Sequence, residues 1–447
     1  MGRDPRAHSR AGGMKAQRDM ALDARSVAAD VLLAVWRRGA LAAAELDDQL
    51  AARPTMERRE RALCTELVYG VLRTHGALNE RLNELAKRSI DDRLRVILWV
   101  GGYQLWFLDR IPPFAVVHQA VEQARRVGGN KPAGFVNALL RRLARERGRV
   151  NLAQAIRASV PGWLLEALEA SVGAEQTQWL LGAVDGSENL AHVAPTGVRW
   201  VGEGPQPAWY QEAPSGVVYP SCKRLFRAGN LQATSEYQDG QFLVQEEGAA
   251  FAGAAVGARA GERVLDACAG SGQKSTLLAE ALGPRGVLWA TDCVGKKLQR
   301  LEREFQRLKL PPARTAVVDW TGAPPDGVPR DFQRILLDAP CTGTGTLRRR
   351  PEILLRLTPD DAERHAQNSE AMLRQLLAHL SPGGRLVFVV CSVLRRECEE
   401  VVERVSDLYE VAPFDAPYAL LEDRSELRLL PGVHGTDGFF IASLKRR

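Results

Sequence analysis

RVLDACAGSGQKSTLLAEALGPRGVLWATD, residues 263–292, decides how this chain is read. It opens on a short apolar run that breaks into a glycine-containing loop. STLLAEAL (275–282) then has helical spacing, and VLWATD (287–292) is a second apolar run ending on a carboxylate. Strand, tight loop, helix and strand in this order form the βαβ unit of a parallel sheet, whose ligands sit beyond the C-terminal strand ends. Asp266, Cys268, Gly270, Gly272 and Lys274 therefore fall on a ligand-facing loop. Small residues there let the backbone approach a bound group, and the following helix offers unpaired N–H groups. Asp292 comes about 20 residues after the glycines, where a carboxylate can accept hydrogen bonds from ribose hydroxyls. A nucleoside cofactor fits, and NAD and S-adenosylmethionine fit equally at this point. No GxxxxGK followed by Ser or Thr is present, which argues against a triphosphate-binding loop.

Toward the C-terminus the alternation continues. KKLQRLEREFQRLKL (296–310) reads as a helix, and TAVVD (315–319), RILLDAP (334–340) and RLVFVVCS (385–392) read as strands, with a helix around Ala362–Leu380 before the last. Residues 246–447 are thus expected to form an α/β Rossmann-like domain with a doubly wound parallel sheet. Two strand ends carry a thiol: DAPCTGTG places Asp338, Pro340 and Cys341 there, and VVCS places Cys391. Either cysteine alone reads as a small buried residue. Two thiols and a carboxylate beside a nucleoside site suit one chemistry in particular. Hydride transfer needs no thiol pair, whereas C5 of a pyrimidine is too weakly nucleophilic to be methylated unaided. Thiolate addition at C6 makes C5 an enamine-like carbon able to attack a methylsulfonium. These residues alone do not say which cysteine attacks.

Toward the N-terminus, VAADVLLAVW, LCTELVYGVL, LRVILWVGGYQLWFL and AVVHQAVEQARRV space their apolar residues at three and four, with turns at 110–114 and 127–130. Residues 21–150 are expected to be all-helical, residues 151–245 a small α+β linker, and residues 1–20 a flexible basic tail. Residues 1–150 carry 27 Lys and Arg against 17 Asp and Glu, a net of +10, and the remainder 33 against 37, a net of −4. A basic half of this kind suits a polyanion such as RNA. Hydrophobic residues are 45% and charged residues 26% of the 447, which excludes wholesale disorder. No run of about 18 uncharged apolar residues occurs, so no membrane span is expected. The seven cysteines (64, 222, 268, 293, 341, 391 and 398) make no CxxC pair, which points away from zinc or a disulfide framework and toward a reducing cytoplasm.

These motifs carry a resemblance. DACAGSGQKS (266–275) resembles the DxCAAPGGKT cofactor loop of the RNA cytosine-C5 methyltransferases, DAPCTGTG (338–345) their DAPCSGxG motif, and VVCS (389–392) their TCS motif. LLPGVHGTDGFFIASLKR (429–446) is similar to their closing hairpin. YQLWFLDRIPPFAVVHQAVEQAR and FVNALLRRLA are similar to the helical, RNA-binding NusB family. The resemblance implies an S-adenosylmethionine-dependent enzyme acting on small-subunit ribosomal RNA, free or in an early particle, as a monomer without metal. It implies Cys391 as nucleophile, Cys341 as the thiol that assists release, and Asp338 at the cytosine edge. Cys268, Ala269, Gly270, Ser271, Gly272, Gln273 and Lys274 would then wrap the methionine part of the cofactor, with Asp338 beside it. Asp292 would meet its ribose and Asp319 its adenine amine, while Arg348, Arg349 and Arg350 would contact phosphates. The sequence departs from the family at Gln273, where the family has glycine, at Val390, at QEEGA for QDxSS, and at AHVAPTGV (191–198) for LRxN. A NusB-like RNA-binding protein with a methyltransferase shell of weak or lost activity is the alternative these departures allow.

Overall fold

The computed structural model describes residues 23–184, 194–226 and 228–447. The expected basic tail at 1–20 and residues 191–193 of AHVAPTGV lie outside them. The chain divides into two units, one running to Gly162 and including Arg350–Arg356, the other comprising Trp163–Arg349 and Leu357–Arg447.

The first unit is helical, as the spacing predicts. Helix Asp92–Phe107 begins where the Asp91 side chain accepts from the N–H groups of Arg93 and Leu94. It is buried nearly all round, from Val96 to Trp106, because helices Ala24–Arg38, Arg58–Leu85, Pro113–Gly128 and Asn130–Ala144 surround it. Helix Arg58–Leu85 turns Cys64, Leu67, Val71, Leu78 and Leu82 inward at spacings of three, four and seven, leaving its polar face to water. Beside helix Pro113–Gly128 an open groove of about 870 Å³ is lined by Phe114, which is 77% exposed, and by His118, Asn137, Arg141 and Arg145, with no carboxylate in its lining.

The second unit holds two sheets. In the linker region, β1 (Thr196–Trp200) lies between β2 (Cys222–Leu225) and β3 (Phe242–Val244), both antiparallel to it. This small sheet is fastened to the cofactor-loop helix through Arg199, 2% exposed. Arg199 donates to both carboxylate oxygens of Glu280 (2.6 and 2.7 Å), to Thr276 Oγ1 (2.7 Å) and to Gln245 Oε1 (3.0 Å). A buried guanidinium needs such a full set of acceptors.

The large sheet contains β4 (Arg263–Asp266), β5 (Val287–Asp292), β6 (Arg314–Val317), β7 (Phe332–Asp338), β8 (Leu380–Val390), β9 (Tyr409–Val411), β10 (Glu426–Leu429) and β11 (Phe439–Arg446). Its order is β10-β11-β8-β7-β4-β5-β6, with β9 on β11. β4 to β8 are parallel, as expected of a doubly wound sheet. β11 runs antiparallel to β8 and β10 antiparallel to β11, so the far edge is mixed and ends in the expected hairpin. Residues alternate between two cores. Val264, Leu336, Val387 and Val389 meet Phe251, Leu278, Leu301 and Phe305 on one face. Leu265, Ile335, Leu337, Leu386 and Phe388 meet Leu373 and Val401 on the other. Helix Pro359–Leu376 covers the second face and is started by a reciprocal cap between Thr358 and Asp361. The chain turns outward from β4 through β5 to β6, then returns to the opposite side of β4 as β7. That reversal opens a crevice at the C-terminal strand ends.

Candidate active site

On one side of the crevice lies the loop after β4. Asp266, 1% exposed, accepts from Ser275 Oγ at 2.7 Å through Oδ2, while its buried Oδ1 has no hydrogen-bond partner among the described residues. Burial pushes this carboxyl up to about 7, Asp338 adding to the rise and Ser275 and Lys274 opposing it. The loop is stitched to the end of β5: Ala269 N–H donates to Thr291 O (2.8 Å) and Gly270 N–H to Asp292 Oδ2 (3.1 Å). Asp292 Oδ1 accepts from Val294 N–H at 2.8 Å, and Lys297 Nζ lies 3.3 Å from Oδ2. Gly272 has φ +90°, and a Cβ there would sit 2.7 Å from Leu301 Cγ, so no other residue fits at the head of helix Gln273–Leu282. Gln273 occupies the helix start without crowding the loop: its Nε2 donates to Val244 O at 3.2 Å, toward the linker sheet. Asp319, exposed after β6, accepts from Thr321 N–H and Oγ1, and these bonds hold its carboxyl below the usual range.

On the other side are the ends of β7 and β8, which run side by side, with Ala339 N–H donating to Val389 O at 2.9 Å. Cys341 and Cys391 meet with their Sγ atoms 3.3 Å apart. Asp338 lies at the same strand end and pairs with Lys274 across 2.6 Å, so the cofactor loop and the thiol pair share one ion pair. Burial alone would lower the Lys274 pKa, but Asp338 and Cys391 raise it, and the group is a cation facing the thiols. Cys341 is pushed well above the ordinary thiol range by its hydrogen bond to Cys391, by burial and by the charges of Cys391 and Glu397. Burial does the same to Cys268, helped by Asp266, Asp338 and Asp292, which leaves Cys268 a neutral lining thiol.

The three arginines after the cysteine loop are engaged within the protein. Arg348 is 5% exposed and donates to Gly435 O at 3.3 Å. Arg349 pairs with Asp437 at 2.9 Å and donates to Pro195 O. Arg350 lies 3.6 Å from Glu352 with its side chain 40% exposed, the most open of the three to a phosphate.

Sequence reasoning missed the polar packing beneath the thiols. Thr342, Thr344, Ser392 and Glu397 are all buried and mutually hydrogen-bonded. The available signal was a hydroxyl residue directly after each cysteine. Gly345 belongs to the same layer: a Cβ there would come 2.0 Å from Gly438 O and 2.9 Å from Cys391 O, so the cysteine loop, β8 and the Asp437–Phe440 segment touch through backbone.

The site can thus hold a cationic, ribose-bearing cofactor on the β4–β5 side and present a thiol pair and a carboxylate to a substrate on the β7–β8 side. The orphaned Asp266 oxygen and the Asp292 carboxylate fit S-adenosylmethionine, which carries an ammonium group and a ribose. Among the described residues no cluster of His, Cys, Asp and Glu suits a metal ion, and no helix is long and apolar enough to cross a membrane.

Residues 254–445 match the family model described as 16S rRNA methyltransferase RsmB/F, and residues 22–145 match the NusB family. The chain is 30% identical over 449 residues to a probable ribosomal RNA small subunit methyltransferase B of Synechocystis, covering 95% of this chain and 100% of that one. It is 34% identical over 443 residues to the ribosomal RNA small subunit methyltransferase B of Xylella fastidiosa (strain Temecula1), covering 94% and 97%. The crystal structure of PH0851 superposes with a TM-score of 0.78 at 22% identity, covering 94% and 98%, a likeness of fold.

Proposed function

The chain belongs to the RsmB/F family of 16S rRNA methyltransferases, and from that footing we propose how its residues methylate cytosine C5 in small-subunit ribosomal RNA. The observation that carries the reading is the thiol pair 3.3 Å apart at adjoining strand ends, beside the Asp338–Lys274 ion pair. S-adenosylmethionine, when bound, supplies a methyl group on a sulfonium. Cys391, as thiolate, adds to C6 of the cytosine, and the electron pair displaced toward C5 gives that carbon the nucleophilicity it lacks. Asp338 accepts from the cytosine amino group at N4 and from N3 once the adduct has taken a proton there, which steadies the adduct. After transfer, solvent water takes the C5 proton, the C5–H electron pair re-forms the C5–C6 double bond, and the C6–S pair leaves with Cys391 as thiolate. Cys341, the thiol held protonated by its neighbours, assists that exit by giving its proton to the departing Cys391 thiolate and is reprotonated from solvent. The order of the two thiols rests on the family resemblance.

The cofactor rests on the loop Cys268–Lys274, with Asp266 Oδ1 toward its cationic end, Asp292 toward the ribose and Asp319 toward the adenine. The side chain of Gln273, drawn to Val244, supports cofactor binding despite this departure from the family loop. RNA contact by the helical unit is supported by the +10 charge of residues 1–150 and by the groove of Phe114, Arg141 and Arg145, which offers an exposed ring and cations without a carboxylate. Bisulfite sequencing of small-subunit ribosomal RNA from cells with and without the protein tests the function. A cytosine methylated only when the protein is present is expected, and an unchanged pattern contradicts the reading.

A further inference from the structure

The two thiol-bearing segments are joined by a carboxylate that the reaction above does not use. Glu397 lies on the short turn Arg395–Glu397 after β8 and is 0% exposed. Its Oε1 accepts from Thr342 N–H at 2.7 Å, and its Oε2 accepts from Thr342 Oγ1 and Ser392 Oγ, both at 2.5 Å. Thr342 directly follows Cys341, and Ser392 directly follows Cys391. One carboxylate therefore grips the same relative position on two segments 50 residues apart in sequence. The grip is braced. Thr344 Oγ1 lies 2.9 Å from Ser392 Oγ and accepts from Val393 N–H at 3.2 Å, while Gly345 N–H donates to the carbonyl of Cys391 itself at 2.9 Å. A buried carboxylate is a weak source of net stability, since apolar groups of similar volume often serve as well. Its strength is directional: charge-assisted hydrogen bonds are short and fix their donors in place.

We propose that Glu397 is a positioning residue for methyl transfer, holding Thr342 and Ser392 so that Cys341 and Cys391 stay in the register at which one thiol can act on the adduct formed by the other. The proposal rests on the two-thiol reading above. It acts through loop geometry, and a thiol displaced by about 1 Å is enough to cost about a hundredfold in rate. The charge of Glu397 also helps to keep the Cys341 thiol protonated.

The test uses the full-length protein and two readouts. Diamide closes a disulfide between Cys341 and Cys391: the two thiols give up two hydrogens to the diazene, which becomes a hydrazine, and one S–S bond forms. The rate of closure, followed by mass spectrometry without RNA or cofactor, reports the Sγ–Sγ register directly. Methyl transfer is measured alongside. Glu397→Ala should slow closure about tenfold and lower kcat about a hundredfold, with KM for RNA and for S-adenosylmethionine within about twofold of wild type. Glu397→Gln keeps a carbonyl acceptor and can donate to the second hydroxyl, so it should recover most of both. Should Glu397→Ala not fold, Ser392→Ala, which removes one arm of the grip, should show the same losses in smaller degree. Wild-type closure and kcat in the folded variant would overturn the proposal, as would a fall in kcat with closure unchanged, which would move Glu397 into the chemistry itself. Slowed closure in a protein whose wild type shows no methyl transfer would uphold the grip and overturn the function.

Discussion

Replacing Asp266 with Asn should make the stability of the methyltransferase unit less sensitive to rising pH, and the size of the effect follows from the surroundings of this carboxyl. It is 1% exposed, takes one side-chain hydrogen bond from Ser275 through Oδ2 and leaves Oδ1 without a partner among the described residues. Burial lifts its pKa from 3.8 to about 7. A carboxyl whose folded pKa lies above its unfolded value favours folding in its protonated form. Its contribution is whole below the unfolded pKa and is lost as pH rises to the folded pKa of about 7. At about 1.4 kcal/mol per unit, roughly 4 kcal/mol is lost across the full window, and about 2 kcal/mol of it between pH 5 and 7. Asn cannot ionise. The unfolding free energy of the variant minus that of wild type should therefore rise by about 2 kcal/mol over those two units and level off above them. Urea unfolding of the apoprotein, read on the transition that S-adenosylmethionine shifts, gives this difference, in which the other titrating groups cancel. At pH 8, where Asp266 is ionised, the variant should also bind the cofactor about tenfold more weakly, because the charge that meets its cationic end is gone. A difference that stays flat from pH 5 to 8 would mean that Asp266 is already ionised in the folded protein, and would refute the reasoning.

Other substitutions probe the cytosine edge, the linker sheet and the helical unit. Asp338→Asn removes the carboxylate at the cytosine edge and breaks the pair with Lys274. It should lower kcat by about a hundredfold, roughly 3 kcal/mol, with the fold retained, and a loss under about threefold in single-turnover assays would show that Asp338 does not face the base. Arg199→Ala leaves Glu280 and Gln245 without their cation beneath the linker sheet and should destabilise the second unit by about 3 kcal/mol in denaturant titrations. A change below about 1 kcal/mol would mean that the small sheet is held by other contacts. Arg141→Ala with Arg145→Ala should reduce the slope of log affinity for single-stranded RNA against log salt by about 1.4, two contacts at about 0.7 each. An unchanged slope would place the phosphates elsewhere.

The β4–β5 unit was legible because its signals are local: an apolar run, a glycine loop, an amphipathic helix and a second run ending on Asp292 lie within one continuous stretch. The thiol pair was legible for a related reason. In a parallel sheet, strand ends converge on one edge, so Asp338, Cys341 and Cys391 could be placed together without knowing their distances. Within the expected α+β linker, the positions and pairing of the strands were not legible. Its strands are three to five residues long and pair only at a distance, Thr196 with Leu225 and Val198 with Val244, so no periodicity announces them. Glu397 was hidden because its partners come from two loops far apart in sequence, and a Glu on a short turn reads as solvated until its burial is seen. The arginine run 348–350 gave the opposite error of emphasis. Its composition suggested phosphate contacts, while Arg348 and Arg349 are engaged by a backbone carbonyl and by Asp437. Charge in a sequence says nothing of which cations the fold itself consumes.

The mechanism turns on the covalent adduct, and Cys341→Ala is the variant that exposes it. If Cys391 adds to C6 and Cys341 assists release, this variant, incubated with its RNA and S-adenosylmethionine, should accumulate a protein–RNA complex that survives denaturing electrophoresis. The variant lacking both thiols should form none, because no adduct can start. Absence of the band with a competent RNA would remove Cys341 from release, and a band persisting in Cys391→Ala alone would reverse the roles of the two cysteines.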